Sequence, residues 1–458
     1  MAETRVLAAT GMLGSGFLEK SFERGIALKP HIIGCDSGST DAGPAHLGGE
    51  IPYFNREVIK RDFRLMLLGR NISQSKLIIG SCGMGGGDWA VDWMRDIAIE
   101  IAKEEKISFK LALIKSEQDK NYLKSCFDKG KISSLYPHFE IDKSHIDECT
   151  HIVGVMGCEP IKAAINSGAD VVLAGRATDT SIYATVPLML GCGAGPSWHA
   201  AKILECGTAC TIQRKRPDSI FAWVRDDHFD IEPLDLDSRC TAQSVASHTL
   251  YENADPYLIT EPDGVLNTFD SKYTEVDSRR VRVFGSAYKK SEIYTIKIEG
   301  AKFGGYQTVI VAGVREPFII RQLDSWLDSM QKKFLERVKE MSGNKIGEND
   351  YEINIRIYGR DGVMGKLEPK KDFVNHEVCL LITITANTEE NSKKIAKSFA
   401  HFALHFPIPE WQGLISGLAF PFSPSELYKG AVYHFSLNHI VKPETQLEMF
   451  RTEIMEVK

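Results

Sequence analysis

The chain has 458 residues, too many for one ordinary hydrophobic core, so two domains are expected. Its hydrophobic fraction of 43% and charged fraction of 25% fit a soluble globular protein. A net charge of -6 offers no basic field to nucleic acid or an anionic membrane, and no apolar run approaches bilayer length.

Residues 1–10 lack the basic start, apolar core and cleavage site of a secretory signal, so a cytoplasmic location is expected. Strands are expected at 5–9, 31–35, 77–80, 110–114, 152–155 and 171–174. Helix-period stretches at 55–68, 89–103, 115–127 and 181–190 alternate with them. That alternation predicts an α/β domain over 1–215, built on a mostly parallel, doubly wound sheet with helices on both faces. Further on, antiparallel strands are expected within 220–231 and at 281–284, 293–299 and 307–311. An amphipathic helix at 316–341 and a surface loop at 341–349 follow. Strands at 352–358 and 378–385, a helix at 389–404 and a strand at 431–437 complete an α+β domain over 216–458. The ten cysteines include no Cys-x-x-Cys pair, so free buried thiols are expected.

Four strand-to-helix loops carry chemical content. Thr10-Gly11-Met12-Leu13-Gly14-Ser15-Gly16 follows the first strand, and Asp36 ends the second, where a dinucleotide fold places its ribose-binding acid. The glycine spacing is not that of the dinucleotide fingerprint, so NAD(P) is the weaker cofactor alternative. The polar loop at 36–49 offers Asp36, Ser37, Ser39, Thr40, Asp41 and His46. Asp36 there is a general base, a metal ligand, or part of an Asx turn. Gly80-Ser81-Cys82-Gly83-Met84-Gly85-Gly86-Gly87-Asp88 can fold as an anion-binding nest, with Asp88 capping the next helix and Cys82 a candidate nucleophile. The fourth loop is Gly175-Arg176-Ala177-Thr178-Asp179-Thr180-Ser181, after the apolar run 171–174. An arginine at a strand end beside free helix amides can grip an anion. The alternative is that Arg176 and Asp179 pair with each other, with Thr178 or Asp179 capping the helix.

Glu159 is either a first-turn helix acid or a catalytic acid. His199, Lys202 and Glu205 recur at three-residue spacing along one side of a helix, as a carboxylate-binding row or a solvated face. Asp226, Asp227 and His228 could join Asp36 around a divalent metal, or carry the surface charge of a hairpin.

The Arg176 segment and the run His199-Ala200-Ala201-Lys202-Ile203-Leu204-Glu205-Cys206-Gly207 resemble the acyclic terpene utilisation (AtuA) family. So do Gly80-Ser81-Cys82-Gly83, His151-Ile152-Val153-Gly154, Tyr251-Glu252-Asn253-Ala254-Asp255-Pro256, residues 356–365 and Ala419-Phe420-Pro421-Phe422-Ser423-Pro424, in the family's order. The resemblance implies a bacterial or fungal soluble protein tied to breakdown of branched acids or terpenoids, and supplies no reaction.

The expected function is an enzyme acting on a small carboxylate or its CoA thioester by proton abstraction, as a hydro-lyase or isomerase. Asp36 or Glu159 is the expected base, Arg176 the anion clamp and Asp179 its orienting partner. Ser37, Ser39, Thr40, Ser81, Gly83, Gly85, Gly86, Thr178, His199 and Lys202 are the expected substrate-binding residues. The alternatives are an NAD(P)-dependent oxidoreductase and a non-catalytic assembly or ligand-binding subunit. A small anionic substrate is the expected partner, with a homo-oligomer or a small partner subunit left open.

Overall fold

The computed structural model describes residues 2–136, 139–370, 373, 375–410 and 416–458. Short apolar runs form β1 (Thr4–Ala8), β2 (Ile32–Asp36), β3 (Lys76–Gly80) and β4 (Phe109–Lys115). Strands β5 (Ile132–Ser134), β6 (Cys149–Val155) and β7 (Val171–Ala174) follow. Between them run α1 (Glu19–Ala27), α2 (Ala45–Gly48), α3 (Arg56–Ser73), α4 (Asp88–Glu105), α5 (Lys120–Asp128), α6 (Lys143–Glu148) and α7 (Cys158–Asn166). Helices α8 (Asp179–Met189) and α9 (Ala194–Leu204) come next. The helix expected at 115–127 begins later because Lys115 still belongs to β4. Asp119 caps α5, accepting from the Tyr122 amide at 2.7 Å.

Residues 220–231 divide into a hairpin, β8 (Ile220–Val224) and β9 (His228–Pro233), followed by α10 (Ala242–Thr249). Five short strands come next: β10 (Leu258–Glu261), β11 (Gly264–Asn267), β12 (Lys272–Glu275), β13 (Val281–Phe284) and β14 (Ala287–Lys290). The strands expected at 293–299 and 307–311 are one, β15 (Ile296–Val314). The helix expected at 316–341 breaks at Gln322, whose φ of -126° is not helical, giving α11 (Pro317–Arg321) and α12 (Leu323–Ser342). The chain ends with β16 (Tyr351–Tyr358), β17 (Val378–Ala386), α13 (Glu389–Leu404), β18 (Glu426–Val441) and β19 (Arg451–Val457).

Two compact units result: Met1–Lys302 with Phe435–Lys458, and Phe303–His434. They divide elsewhere than at the expected residue 215. Strand β8 pairs antiparallel with β1, Val6 opposite Ala222, which makes the residues just after 215 part of the first unit's main sheet.

That sheet has ten strands in the order β12-β13-β9-β8-β1-β2-β3-β7-β4-β19. Its middle five, β1 to β4 with β7 between β3 and β4, are parallel, with Val6 beside Ile32 and Ile78 beside Val172. The flanks are antiparallel, so the sheet is a mixed parallel/antiparallel one rather than the mostly parallel sheet expected. Strand β6 was expected in this sheet. With β7 and β19 on either side of β4, no edge there remains for it, and it pairs antiparallel with the start of β15.

Alternation sorts the side chains to two faces. Val6 and Ala8 pack with α7, α8 and α9, whereas Leu7 and Ala9 pack with α1, α3 and α4. The loops after β1, β2, β3 and β7 emerge at one end of the parallel strands, the end where open α/β sheets bind ligands. In the second unit, β16, β17 and the end of β15 form an antiparallel sheet, Tyr306 opposite Ala386, under α12 and α13. Among the described residues no helix is long and apolar enough to cross a membrane. All ten cysteines are free, eight of them buried.

The glycine turn after β1 is already occupied. The Gly14 and Gly16 amides both donate to Asp62 Oδ2 at 3.0 Å, and Asp62, on α3, is 1% exposed. Two residues further on, the Leu18 amide donates to Asp218 Oδ1 at 2.9 Å. Carboxylates of the chain itself thus sit where a cofactor's phosphates would lie. Asp62→Ala removes the acceptor of two amides and should lower stability by about 2–4 kcal/mol. Thermal denaturation checks this; an unchanged melting temperature would mean that solvent replaces the carboxylate.

Candidate functional site

The loop between β7 and α8 carries Arg176, whose backbone is fixed from below. Its amide donates to Gly86 O at 3.2 Å and to Ser116 Oγ at 2.8 Å. Gly86 has a φ of +68°, and a Cβ there would lie 2.3 Å from the Arg176 nitrogen. The loop 81–87 is therefore a floor for Arg176 more than an open nest. The Gly83 amide donates to Ser37 Oγ (3.3 Å), that of Met84 to Ser81 O (3.1 Å) and that of Gly86 to Cys82 O (3.2 Å). Gly85 lies against Leu47.

The guanidinium is held on three sides. Nε donates to Glu299 Oε2 at 3.0 Å, and Nη1 to Ser81 Oγ at 3.1 Å, Ala177 O at 2.8 Å and Asp179 Oδ1 at 3.4 Å. Nη2 has no hydrogen-bond partner among the described residues. Burial opposes charge on Glu299, but Arg176 and Lys297 outweigh it and hold its carboxyl down to about 2. The Arg176–Asp179 pair is thus one leg of a larger arrangement. Thr178, not Asp179, caps α8, accepting from the Ser181 amide at 3.3 Å.

A cavity of about 560 Å³ is lined by Arg176, Thr178, Asp179 and Thr180 from this loop and by Lys202 and Glu205 from α9. Asp41, Glu252, Asn253, Thr260 and Glu261 add polar groups, and Val155 and Ile259 are its two apolar contributors. Lys202 Nζ donates to Glu205 Oε1 at 2.6 Å, and burial raises the Glu205 carboxyl above its ordinary range. Glu261, 5% exposed, accepts from Thr180 Oγ1 through Oε1 alone; its buried Oε2 has no partner among the described residues. Burial pushes its carboxyl up to about 7 against the lowering pull of the Thr180 and Thr178 hydroxyls, and the charge of Asp179 adds to the rise.

Of the expected site residues, Arg176, Thr178, Asp179 and Lys202 come together in this cavity. Asp36 does not line it; it is buried close enough to feel the charges of Asp179 and Arg176, with Oδ2 bound to the Gly38 amide at 3.1 Å and Oδ1 unpartnered among the described residues. Burial raises its carboxyl well above the ordinary value. Ser37 supports Gly83, Ser39 bonds Asp41 (2.8 Å), and Thr40 is buried. Glu159, in the first turn of α7, lies off the cavity lining and accepts from Tyr294 OH at 3.0 Å. His199 is not in the cavity but in the core, between Ser286 Oγ and Thr249 Oγ1, because α9 is buried on every side and has no solvated face. Asp226, Asp227 and His228 line a different cavity from the Arg176 site near Asp36, and among the described residues no metal-binding group of three such ligands exists. Cys82 is wholly buried, and burial pushes its thiol up, away from a nucleophilic thiolate.

Sequence reasoning singled out neither Glu261 nor Glu299. A signal existed for Glu299: strand alternation puts it on one face with Lys297, and the two pair at 2.7 Å. Glu252 and Asn253 were visible only as part of a quoted motif.

The fold and this acid-rich pocket define an α/β protein with an ionisable site at its strand ends. A family model, "Acyclic terpene utilisation family protein AtuA", matches residues 85–211 and 231–420, and the chain belongs to that family. Membership points to a role in acyclic terpene utilisation. No curated protein and no solved structure matches the chain. The matched segments include Arg176, Lys202, Glu261 and Glu299, while Asp36 and Asp41 lie outside them.

Two outcomes are expected. Gly86→Ala forces a side chain into the Arg176 backbone at positive φ and should destabilise the fold by more than about 1 kcal/mol, read by chemical denaturation. The second concerns Glu261. The folded chain keeps its proton up to about pH 7, whereas the unfolded chain releases it near 4.5. The folded state therefore binds more protons in that window, so this group makes stability fall as pH rises from 4.5 to 7, with no further change above. Glu261→Gln removes that loss, so the variant's melting temperature should gain on wild type as pH rises through the window. A difference that does not vary with pH would show that Glu261 ionises normally.

Proposed function

We propose that the chain is an enzyme in the catabolism of acyclic terpenoid or branched acids. It abstracts a proton beside the carbonyl of a small carboxylate or its CoA thioester, as a hydro-lyase or isomerase. One observation carries this: Glu261 Oε2, buried and unpartnered among the described residues, belongs to a carboxyl that titrates at about 7 and lines the same cavity as Arg176 and Lys202. A group with that pKa both takes and returns a proton near neutral pH. Glu261 is the base and acid in this scheme, in place of Asp36 and Glu159, since neither lines the cavity. The free Nη2 of Arg176, with Lys202 beside it, would hold the substrate carboxylate or the developing enolate. Glu299 and Asp179 orient the guanidinium. Exposed Asp41 and Glu252 favour a singly charged reacting group over a multiply charged one. An NAD(P)-dependent oxidoreductase has less support, because Asp62 holds the Gly14 and Gly16 amides.

The test is α-hydrogen exchange in deuterated water, followed by NMR over a panel of branched carboxylates and their CoA thioesters. Wild type should catalyse exchange on at least one of them. Glu261→Gln should lose about 10²–10⁴-fold in rate, and Arg176→Lys most of the activity, since lysine cannot reproduce a planar grip. No exchange across the panel, or undiminished exchange by Glu261→Gln, overturns the proposal.

A further inference from the structure

A second polar cavity, of about 570 Å³, shares no lining residue with the first and includes Asp226, His228, Arg282, Gly285 and Ser286. Ser286 sits in the two-residue link between β13 and β14. Gly285 before it has a φ of +87°, and a Cβ there would lie 2.5 Å from Asp270 O, so only glycine makes this turn. Ser286 Oγ is 2.6 Å from Nδ1 of the wholly buried His199, and its other hydroxyl neighbour, Ser271 Oγ, is at 3.4 Å.

The imidazole's tautomer follows from its far side. Thr249 Oγ1 donates to Val245 O at 3.1 Å and accepts from Tyr273 OH at 3.1 Å. Its single proton is thus committed, so at 2.9 Å from His199 Nε2 it accepts from that nitrogen. Nδ1 then carries the lone pair, and the Ser286 hydroxyl donates to it. Burial pushes the His199 imidazole down to about 3, so it is neutral at neutral pH, and it is a weaker base than an exposed histidine. The Gly285 and Ser286 amides donate to no acceptor among the described residues.

We propose that Ser286 is a nucleophile that accepts the acyl group of a small carboxylic ester at this cavity, with His199 Nδ1 as its base. The Oγ–carbon bond forms and the bond to the leaving alkoxide breaks. The hydroxyl proton passes to Nδ1 and then to the leaving alcohol, and water later cleaves the acyl–serine ester to release the acid. The two free amides stand next to the nucleophile, as donors to the developing oxyanion. Thr249 occupies the place a carboxylate would take behind the histidine. Disabling that carboxylate in a serine–histidine–acid triad costs about 10⁴ in rate. Ser286 is accordingly a slow acyl acceptor rather than a fast esterase.

The test is labelling of the full chain with a fluorophosphonate, in which Ser286 Oγ bonds phosphorus, fluoride leaves and the proton goes through His199 to water. Peptide mass mapping should find the label on Ser286, and Ser286→Ala should abolish it in a chain that still folds, with a melting temperature lowered by the lost bond to His199. Thr249→Val frees the imidazole to turn its proton toward Ser286 and should slow labelling at least tenfold. Absence of label on Ser286 in wild type overturns the proposal, as does wild-type labelling by a folded Thr249→Val variant.

Discussion

The site depends on a buried ion pair, Arg176 with Glu299. The arginine leaves the end of β7 and the glutamate comes from the start of β15, 123 residues later. Neither charge is stable alone at that depth: removing one partner of such a pair costs about 3–5 kcal/mol. Lys297 completes the neutralisation of Glu299, so the guanidinium need not surrender its remaining hydrogen bonds. Its Nε and Nη1 donors are committed and the two on Nη2 are left over, which makes a structural pair also a site.

Around it, the chain meets its own backbone donors with its own carboxylates. Asp62 serves the Gly14 and Gly16 amides, Asp218 the Leu18 amide, and Asp88 Oδ1 the amides of Ser116 and Glu117 at 3.1 Å. Glycine-rich turns at strand ends commonly bind phosphate, but here most are closed internally and stiffen the loops. What remains open is the side-chain chemistry of the Arg176 cavity, in acids that burial keeps partly protonated.

The strands β1, β2, β3 and β7 were legible because each is an apolar run covered on both faces, and such runs announce themselves. Strand β19 was not: Arg451-Thr452-Glu453-Ile454-Met455-Glu456-Val457 is an edge strand, mostly exposed, with no apolar run. Strand β6 was legible as a strand but not by sheet, since four apolar residues say nothing about which distant edge they join. The same limit governs the site. Arg176, Thr178 and Asp179 are local in sequence and were visible together, and Lys202 followed from helical spacing. Glu261 and Glu299 reach the cavity from separate strands, and only tertiary pairing brings them in. His199 misled because three-residue spacing identifies a side of a helix without telling whether that side meets solvent.

The second unit, Phe303–His434, is an insertion within the first, entered inside β15 and left inside β18. During synthesis it can complete its β15–β16–β17 pairing while the first unit still lacks its last strand. Until residues 451–457 emerge, the outer edge of β4 has hydrogen-bonding groups and no partner. Lys110 and Lys115 are the two charges on that strand; in the finished fold Lys115 is buried and pairs with Asp92 at 2.6 Å. The arrival of Phe435–Lys458 gives β4 its partner and moves the open edge of the sheet from β4 to the charged strand β19.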